Sequence, residues 1–249
     1  MEFVEGLQTT SAVARGLEQD GITAPTSVQR AAIAPILAGR HVIIDSATGT
    51  GKTLAYLLPI LQRLAGSTDR AVVFAPTVEL AMQALRVAER YKEPGLKTGA
   101  LISTGSRRHQ EARVQKSTRL IVGTPGRILE AYKARKLKGV TIVVLDEPDP
   151  ILSGRDAGYL QSVLTRPDPK VQVIFATATM GPRAEQLARE VMGDDHLRTA
   201  VDDDPLRERI SHHVVSLREG ASPDVPVSYT HLTLPTIRRG CSSRWSAVD

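Results

Sequence analysis

The chain has 249 residues, of which 41% are hydrophobic and 24% charged, so it can bury a core and has the composition of a soluble globular protein. No apolar run approaches the ~18–20 residues of a membrane span, and the N-terminus lacks the features of a secretory signal, so we expect a cytoplasmic protein with no membrane partner. The net charge of +5 is compatible with a nucleic-acid partner, and the single cysteine, Cys241, excludes an internal disulfide and a cysteine metal cluster.

Residues 1–40 are predicted to form a helical N-terminal extension with a turn at residues 21–25. Beyond it, short aliphatic runs alternate with stretches of helical period such as residues 52–64 and 79–91. The runs are β-branched and almost continuously apolar, which predicts strands covered on both faces. The six predicted strands are His41–Ile44, Ala71–Phe74, Ala100–Ile102, Leu120–Val122, Thr141–Leu145 and Val171–Phe175. This alternation predicts an α/β domain with a mostly parallel central sheet, helices on both faces and ligands at the carboxyl ends of the strands.

The C-terminal part of the chain changes in character. Residues 193–225 are polar and charge-dense and predict a last short strand or a linker. Residues 226–249 hold the only tryptophan and the only cysteine, and their first part, 226–236, resembles the in-frame translation of a transposase adaptor used in sequencing libraries. We therefore expect a non-native tail there and exclude it from the fold, the alternative being a natural disordered terminus.

The first predicted strand ends in a phosphate-binding loop, SATGTGKT, at residues 46–53. Gly49 and Gly51 let consecutive backbone N–H groups point at phosphate oxygens, and the following helix adds its positive N-terminal end. Lys52 is expected to reach the β- and γ-phosphates and Thr53 to place its hydroxyl on Mg²⁺. Ser46 stands where the general pattern has glycine, and we expect its small side chain to be tolerated. A glycine-rich turn without a ligand is the alternative.

These features predict a P-loop NTPase fold with ATP and Mg²⁺ as cofactors. The residues expected around the nucleotide in this loop are Thr48, Gly49, Thr50, Gly51, Lys52 and Thr53.

The fifth predicted strand runs into Asp146-Glu147-Pro148-Asp149. An acidic residue at the end of a buried strand can hold Mg²⁺ opposite the P-loop, so Asp146 joins Thr53 as a predicted metal ligand. The adjacent Glu147 can orient and deprotonate the attacking water. Together with Lys52 these two carboxylates are the predicted catalytic residues. A solvated acidic turn is the alternative, which the P-loop at another strand end disfavours.

Motifs along residues 1–215 resemble those of the DEAD-box RNA helicases and follow the family order. They are GITAPTSVQ (21–29), SATGTGKT (46–53), PTVEL (76–80), TPGR (124–127), DEPD (146–149) and TAT (177–179). The resemblance implies a Q-motif extension over 1–40, a RecA-like ATP-binding domain over 41–210 and the start of an interdomain linker over 211–225. It further implies that Gln29 reads the adenine edge, while Phe3 is a candidate for stacking on the adenine.

Other roles are implied by the same resemblance. Asp149, Thr177 and Thr179 would couple the nucleotide site to domain closure. The RNA sugar-phosphate backbone would be gripped by Pro76, Thr77, Gly105, Thr124, Gly126 and Arg127. Contacts with backbone rather than base edges imply RNA binding with little sequence preference.

Each role has a plainer alternative. Gln29 could be a surface residue after a turn, and Pro125 could open an ordinary helix. Thr177 and Thr179 could cap the next helix.

The chain also departs from the family pattern. Pro148 replaces alanine and fits only in the first turn of the following helix. Val78 replaces arginine and removes a cationic contact to phosphate. Motif III reads TAT instead of SAT and keeps its hydroxyl, while the usual Gly-Gly doublet is reduced to Ser103-Thr104-Gly105.

The implied function is an ATP-dependent RNA helicase, of which this chain is expected to be the N-terminal half. The second RecA-like domain, with its arginine-rich motif, is expected to be absent, so ATP binding with weak hydrolysis is predicted. A nucleotide-responsive RNA-binding module without turnover is the alternative. A DNA-directed helicase or another P-loop NTPase is disfavoured by the Q motif.

Overall fold

The computed structural model describes residues 3–103, 114–165, 171–193 and 196–200. Within these ranges the helices are α1 (Ser11–Gln19), α2 (Ser27–Leu37), α3 (Lys52–Gly66), α4 (Val78–Tyr91), α5 (Pro125–Lys133), α6 (Pro148–Ser153), α7 (Ala157–Leu164) and α8 (Pro182–Met192). The strands are β1 (Val42–Asp45), β2 (Ala71–Phe74), β3 (Thr98–Leu101), β4 (Leu120–Gly123), β5 (Ile142–Asp146), β6 (Gln172–Thr177) and β7 (Leu197–Ala200).

These strands form one sheet in the order β3-β4-β2-β5-β6-β1-β7, and every neighbouring pair in the described chain is parallel. The predicted α/β fold is therefore confirmed. A seventh strand, β7, lies within the polar segment for which a short strand or a linker was predicted. The β3 strand begins at Thr98 instead of Ala100, because Thr98 and Gly99 pair with Leu120 and Ile121. Backbone pairing, and not hydrophobicity, sets that boundary.

The core has two layers, one on each face of the sheet. Ile44, Val73 and Ile174 point to a cluster built with α1 to α4. Their chain neighbours Ile43 and Val72 point to the other cluster, built with α5 to α8. Because successive strand residues alternate between two buried faces, every position must be apolar. This explains the continuous aliphatic runs of the sequence.

The predicted N-terminal helices and the turn between them are present, because α1 ends at Gln19 and α2 begins at Ser27. They pack against α3 and α4 as part of the first core cluster, to which Val4 also belongs. The contact is close at Gly16, where an added Cβ would lie 2.6 Å from the Tyr91 ring.

Within the described chain, no helix combines the length and apolar character that crossing a membrane requires.

Candidate functional site

The predicted site residues gather along the carboxyl edge of the sheet, in two adjacent groups. The P-loop half consists of residues 46–53, 146–149 and 177–179, which lie at or just after the ends of β1, β5 and β6. The TPGR half consists of residues 76–80 and 124–127, which follow β2 and β4. The strand order places β1, β6 and β5 side by side and β2 next to β4, so each group is contiguous.

The P-loop has the backbone that the sequence predicted. Gly49 and Gly51 have φ values of +84° and +93°, in the region that favours glycine. An added Cβ on Gly51 would lie 2.5 Å from Gln29 Nε2, so the position also lacks room. The Ser46 backbone does not adopt the positive φ that favours glycine, and its Oγ lies 2.6 Å from Thr50 Oγ1. The serine is thus accommodated and adds a hydrogen bond within the loop.

Lys52 is the cation at the centre of the P-loop half. Its Nζ donates to the carbonyls of Ser46 at 2.7 Å and Ala47 at 3.1 Å, and it lies 3.8 Å from Glu147 Oε1. Only 9% of the residue is exposed. Burial lowers the pKa of Lys52, and the nearby carboxylates of Glu147, Asp146 and Asp45 oppose that shift. The ammonium group thus lies between the P-loop and the acidic pair.

Asp146 ends β5 and receives a hydrogen bond that the sequence did not predict. The hydroxyl of Tyr56, a fully buried residue of α3, donates to Asp146 Oδ2 at 2.8 Å. Burial raises the pKa of Asp146 to about 6; the Tyr56 hydrogen bond and Lys52 oppose the rise, and Glu147 adds to it. Burial and Asp146 also raise the pKa of Tyr56 well above its ordinary value. The available sequence signal was a phenol one turn beyond Thr53 in an otherwise apolar helix segment.

Glu147 adopts a left-handed backbone, with φ 56° and ψ 74°. This conformation is costly for a non-glycine residue and persists only where its surroundings hold it. Here the Glu147 N–H donates to the Ala176 carbonyl at 2.7 Å, and its Oε2 lies 3.3 Å from Thr177 Oγ1 and 3.4 Å from the Ala178 nitrogen. Pro148 follows at the first position of α6, where its missing N–H costs nothing. The condition stated for Pro148 is therefore met.

The third part of the P-loop half links β6 to α6. Thr177 is 1% exposed, and its hydroxyl lies 2.5 Å from the Thr179 carbonyl and accepts from the Thr179 N–H at 3.2 Å. Asp149 Oδ2 accepts from the Gly181 N–H at 2.9 Å. Because Gly181 is the N-cap of α8, the alternative that the two threonines cap this helix is wrong.

Gln29 connects the N-terminal helices to the P-loop. It is 2% exposed, so the alternative of an ordinary surface residue is wrong. Its Oε1 accepts from the Thr26 N–H at 3.0 Å in a capping box, and its Nε2 donates to the Gly51 carbonyl at 3.4 Å. Phe3 is partly buried against the core cluster of α1 to α4. Their roles toward adenine stay predictions.

In the TPGR half, the side chains of Thr77 and Arg127 are held by their own helices. Thr77 Oγ1 accepts from the Leu80 N–H at 3.2 Å and caps α4. Arg127 Nη1 donates to Glu130 Oε2 at 2.7 Å within α5, and 17% of the Arg127 side chain is exposed. An added Cβ on Gly123 would lie 2.1 Å from the Leu101 carbonyl oxygen, so β3 and β4 need glycine there.

Most of the predicted RNA-contacting residues are adjacent in the structure. The Ala75 N–H donates to the Gly123 carbonyl at 2.9 Å, which joins the loops that carry Pro76, Thr77, Thr124, Gly126 and Arg127. Pro125 does open α5, as its plainer interpretation required. Gly105 lies outside the described residues.

The P-loop half offers suitable ligands for Mg²⁺. The Thr53 hydroxyl and the Asp146 carboxylate are hard oxygen donors, and Mg²⁺ in nucleotide sites takes few protein ligands together with phosphates. Among the described residues no group of three or more His, Cys, Asp or Glu could hold a metal.

Comparisons with known proteins agree with this geometry. A family model described as DEAD/DEAH box helicase matches residues 26–187. The DEAD-box ATP-dependent RNA helicase CshC of Bacillus cereus is 39% identical over 185 residues, which are 72% of this chain and 48% of that protein. Eukaryotic initiation factor 4A of Drosophila melanogaster is 35% identical over 185 residues, 72% of this chain and 46% of that protein. The chain spans about half the length of these curated relatives.

Solved structures show the same similarity. The crystal structure of a DEAD box protein from Methanococcus jannaschii matches with a TM-score of 0.70 and 26% sequence identity, over 78% of this chain and 55% of that one.

Proposed function

Because this chain belongs to the DEAD/DEAH box helicase family, we propose that it is the RecA-like, ATP- and RNA-binding part of an ATP-dependent RNA helicase. The observation that supports this most directly is the meeting of Lys52 and Glu147 at 3.8 Å. It brings the P-loop cation and the acidic pair into one buried site beside the TPGR half. The names of the curated relatives favour an enzyme over a binding module without turnover.

In this proposal the P-loop half binds ATP with Mg²⁺. Backbone N–H groups of residues 48–53 surround the phosphates, and Lys52 contacts the β- and γ-phosphates. Thr53 and Asp146 hold Mg²⁺, which neutralises charge on the phosphate oxygens when bound. Gln29 reads the hydrogen-bonding edge of the adenine, and Phe3 stacks on the face of the adenine ring.

Catalysis is assigned to the charged residues of the same half. Glu147 orients the attacking water and accepts its proton, which requires an ionised carboxylate close to Lys52. Asp149, Thr177 and Thr179 transmit the state of the nucleotide site to domain closure. The hydrogen bonds of Thr177 and Ala178 toward Glu147 support this role, because they tie motif III to the general base.

We assign RNA binding to the TPGR half, through Pro76, Thr77, Gly105, Thr124, Gly126 and Arg127. Two of these residues, Thr77 and Thr124, are N-caps of α4 and α5, where helix N-termini favour phosphate. Phosphate and sugar contacts carry no sequence information by themselves. Binding is therefore proposed to be nearly independent of RNA sequence.

We also propose domain boundaries and a location. Residues 1–40 form the Q-motif extension, 41–210 the RecA-like domain and 211–225 the start of an interdomain linker, followed by a non-native tail at 226–249. The protein acts in the cytoplasm.

Two binding measurements test the proposal. A fluorescent ATP analogue is titrated with the chain in Mg²⁺ and in EDTA, and two unrelated single-stranded RNAs are titrated with ATP and Mg²⁺ present. We expect Mg²⁺-dependent nucleotide binding and RNA affinities that agree within about threefold and fall steeply with salt.

Absence of Mg²⁺-dependent nucleotide binding would contradict the ATP assignment. A preference of more than about tenfold for one RNA would contradict backbone recognition, because each base-specific contact contributes about 1–3 kcal/mol of discrimination.

A further inference from the structure

Tyr56 lies beside the P-loop half, and the proposed function gives it no role. It is on α3, one turn beyond Lys52 and Thr53, and is fully buried. Its hydroxyl donates to Asp146 Oδ2 at 2.8 Å. One buried hydroxyl thus contacts the carboxylate assigned to Mg²⁺.

The direction of this hydrogen bond follows from the chemistry of the groups. A phenol has one proton, and an ionised carboxylate can only accept. Tyr56 is therefore the donor to Asp146. This bond occupies Oδ2 of Asp146 and leaves Oδ1 available.

We propose that Tyr56 is a positioning residue for the divalent cation, because its hydroxyl orients the carboxylate of Asp146 as a metal ligand. The inference rests on the proposed nucleotide function. Hydrogen-bond partners of metal ligands fix the ligand orientation, and their loss typically weakens metal affinity about 10–100-fold. The neighbours of Tyr56 in α3 are Ala55 and Leu57, both buried and apolar, so the phenol brings an isolated polar group into this layer.

The test is Tyr56→Phe, which removes the hydroxyl and keeps the ring. ADP affinity is measured by calorimetry over a series of Mg²⁺ concentrations and in EDTA. We expect the affinity in EDTA to stay within twofold of the original chain. The enhancement by Mg²⁺ should fall about tenfold, and the half-saturating Mg²⁺ concentration should rise by a similar factor.

Tyr91→Phe is the matched control. Tyr91 is 1% exposed, lies on α4, and donates its hydroxyl to Asp20 Oδ2 at 2.7 Å. Tyr91→Phe therefore loses the same hydroxyl and the same type of hydrogen bond as Tyr56→Phe, but away from the nucleotide site. We expect its Mg²⁺ response to equal that of the original chain.

The outcomes separate the two proposals. If the original chain shows no Mg²⁺-dependent ADP binding, the proposed function fails. If it does and Tyr56→Phe responds identically, the role of Tyr56 is overturned and the proposed function stands. Equal losses of affinity in EDTA and in Mg²⁺ would also overturn it, since they indicate a structural effect.

A second measurement applies if Tyr56→Phe does not fold. The chain is labelled with 3-fluorotyrosine at its five tyrosines, and the Tyr56 resonance is identified by elimination with variants of the others. We expect this fluorine resonance to shift when Mg²⁺ is added to the ADP complex, whereas that of Tyr91 stays in place. An unchanged Tyr56 resonance would refute the proposal.

Discussion

In the P-loop half the predicted site residues contact one another across elements, whereas in the TPGR half Thr77 and Arg127 are held by their own helices. Glu147 is approached by Lys52 from α3 and by Thr177 from β6. In contrast, Thr77 caps the helix it precedes, and Arg127 pairs with Glu130 one turn away in α5. Substitutions in the P-loop half should therefore be coupled to each other, and those in the TPGR half should act independently.

The difference has a physical basis in charge. The P-loop half holds the Lys52 cation close to the carboxylates of Glu147 and Asp146 in a mostly buried space, where burial lowers the pKa of Lys52 and these two carboxylates oppose that shift. The TPGR half presents helix N-termini, and its Thr77 and Arg127 each bond to a group on the same helix, so they need little support from neighbouring elements. Removing one charged side chain should therefore change ligand affinity and stability more in the P-loop half than in the TPGR half.

The largest effect is expected for Lys52→Met. Removing the buried ammonium deletes charge-assisted hydrogen bonds to phosphate, which contribute up to about 3 kcal/mol, so nucleotide affinity should fall about 100-fold. RNA affinity measured without nucleotide should change less than twofold. The check is equilibrium titration of both ligands, with the exposed Lys133→Met on α5 as control. A comparable loss of RNA affinity in Lys52→Met would contradict the separation of the two halves.

Asp146→Asn should stabilise the fold in EDTA. The folded pKa of Asp146 is about 6 against an ordinary 3.8, so the folded chain binds this proton more tightly than the unfolded chain. Ionisation therefore costs stability as pH rises from about 4 to about 6, and the full cost, up to about 3 kcal/mol, remains above that range. Urea unfolding should show the gain at pH 8 and about half of it at pH 5. A gain independent of pH would contradict this origin.

The smallest effect is expected for Thr77→Ala. Losing the N-cap of α4 should lower the free energy of unfolding by about 1 kcal/mol, while Thr77→Ser should keep the cap and the stability. Nucleotide affinity should be unchanged in both. RNA affinity, measured by anisotropy, decides whether the Thr77 hydroxyl also contacts RNA. Only such a contact would make Thr77→Ala bind RNA more weakly than Thr77→Ser. A stability loss in Thr77→Ser equal to that in alanine would show that capping is not the cause.

Much of the fold follows from local patterns. The aliphatic runs predicted six strands because both faces of a parallel sheet are buried, and the motifs predicted the family to which the chain belongs. The sequence predicted the exact ends of the strands, and the strand at the β7 edge of the sheet, less well. Residues 197–200 lie in a charge-dense stretch and form β7 because their backbone pairs with β1, and Arg198 also forms ion pairs with Asp45 and Glu185.

The sequence by itself determined the local features of the candidate site, since the P-loop turn and the acidic pair after β5 depend on neighbours a few positions away. Only the tertiary structure decided how they meet. Tyr56 and Asp146 are 90 positions apart, and Gln29 and Gly51 are 22 apart. The left-handed backbone of Glu147 is held by β6, which follows β5 across the sheet. These contacts depend on the strand order, and a pattern of period two or 3.6 carries no information about which strands become neighbours.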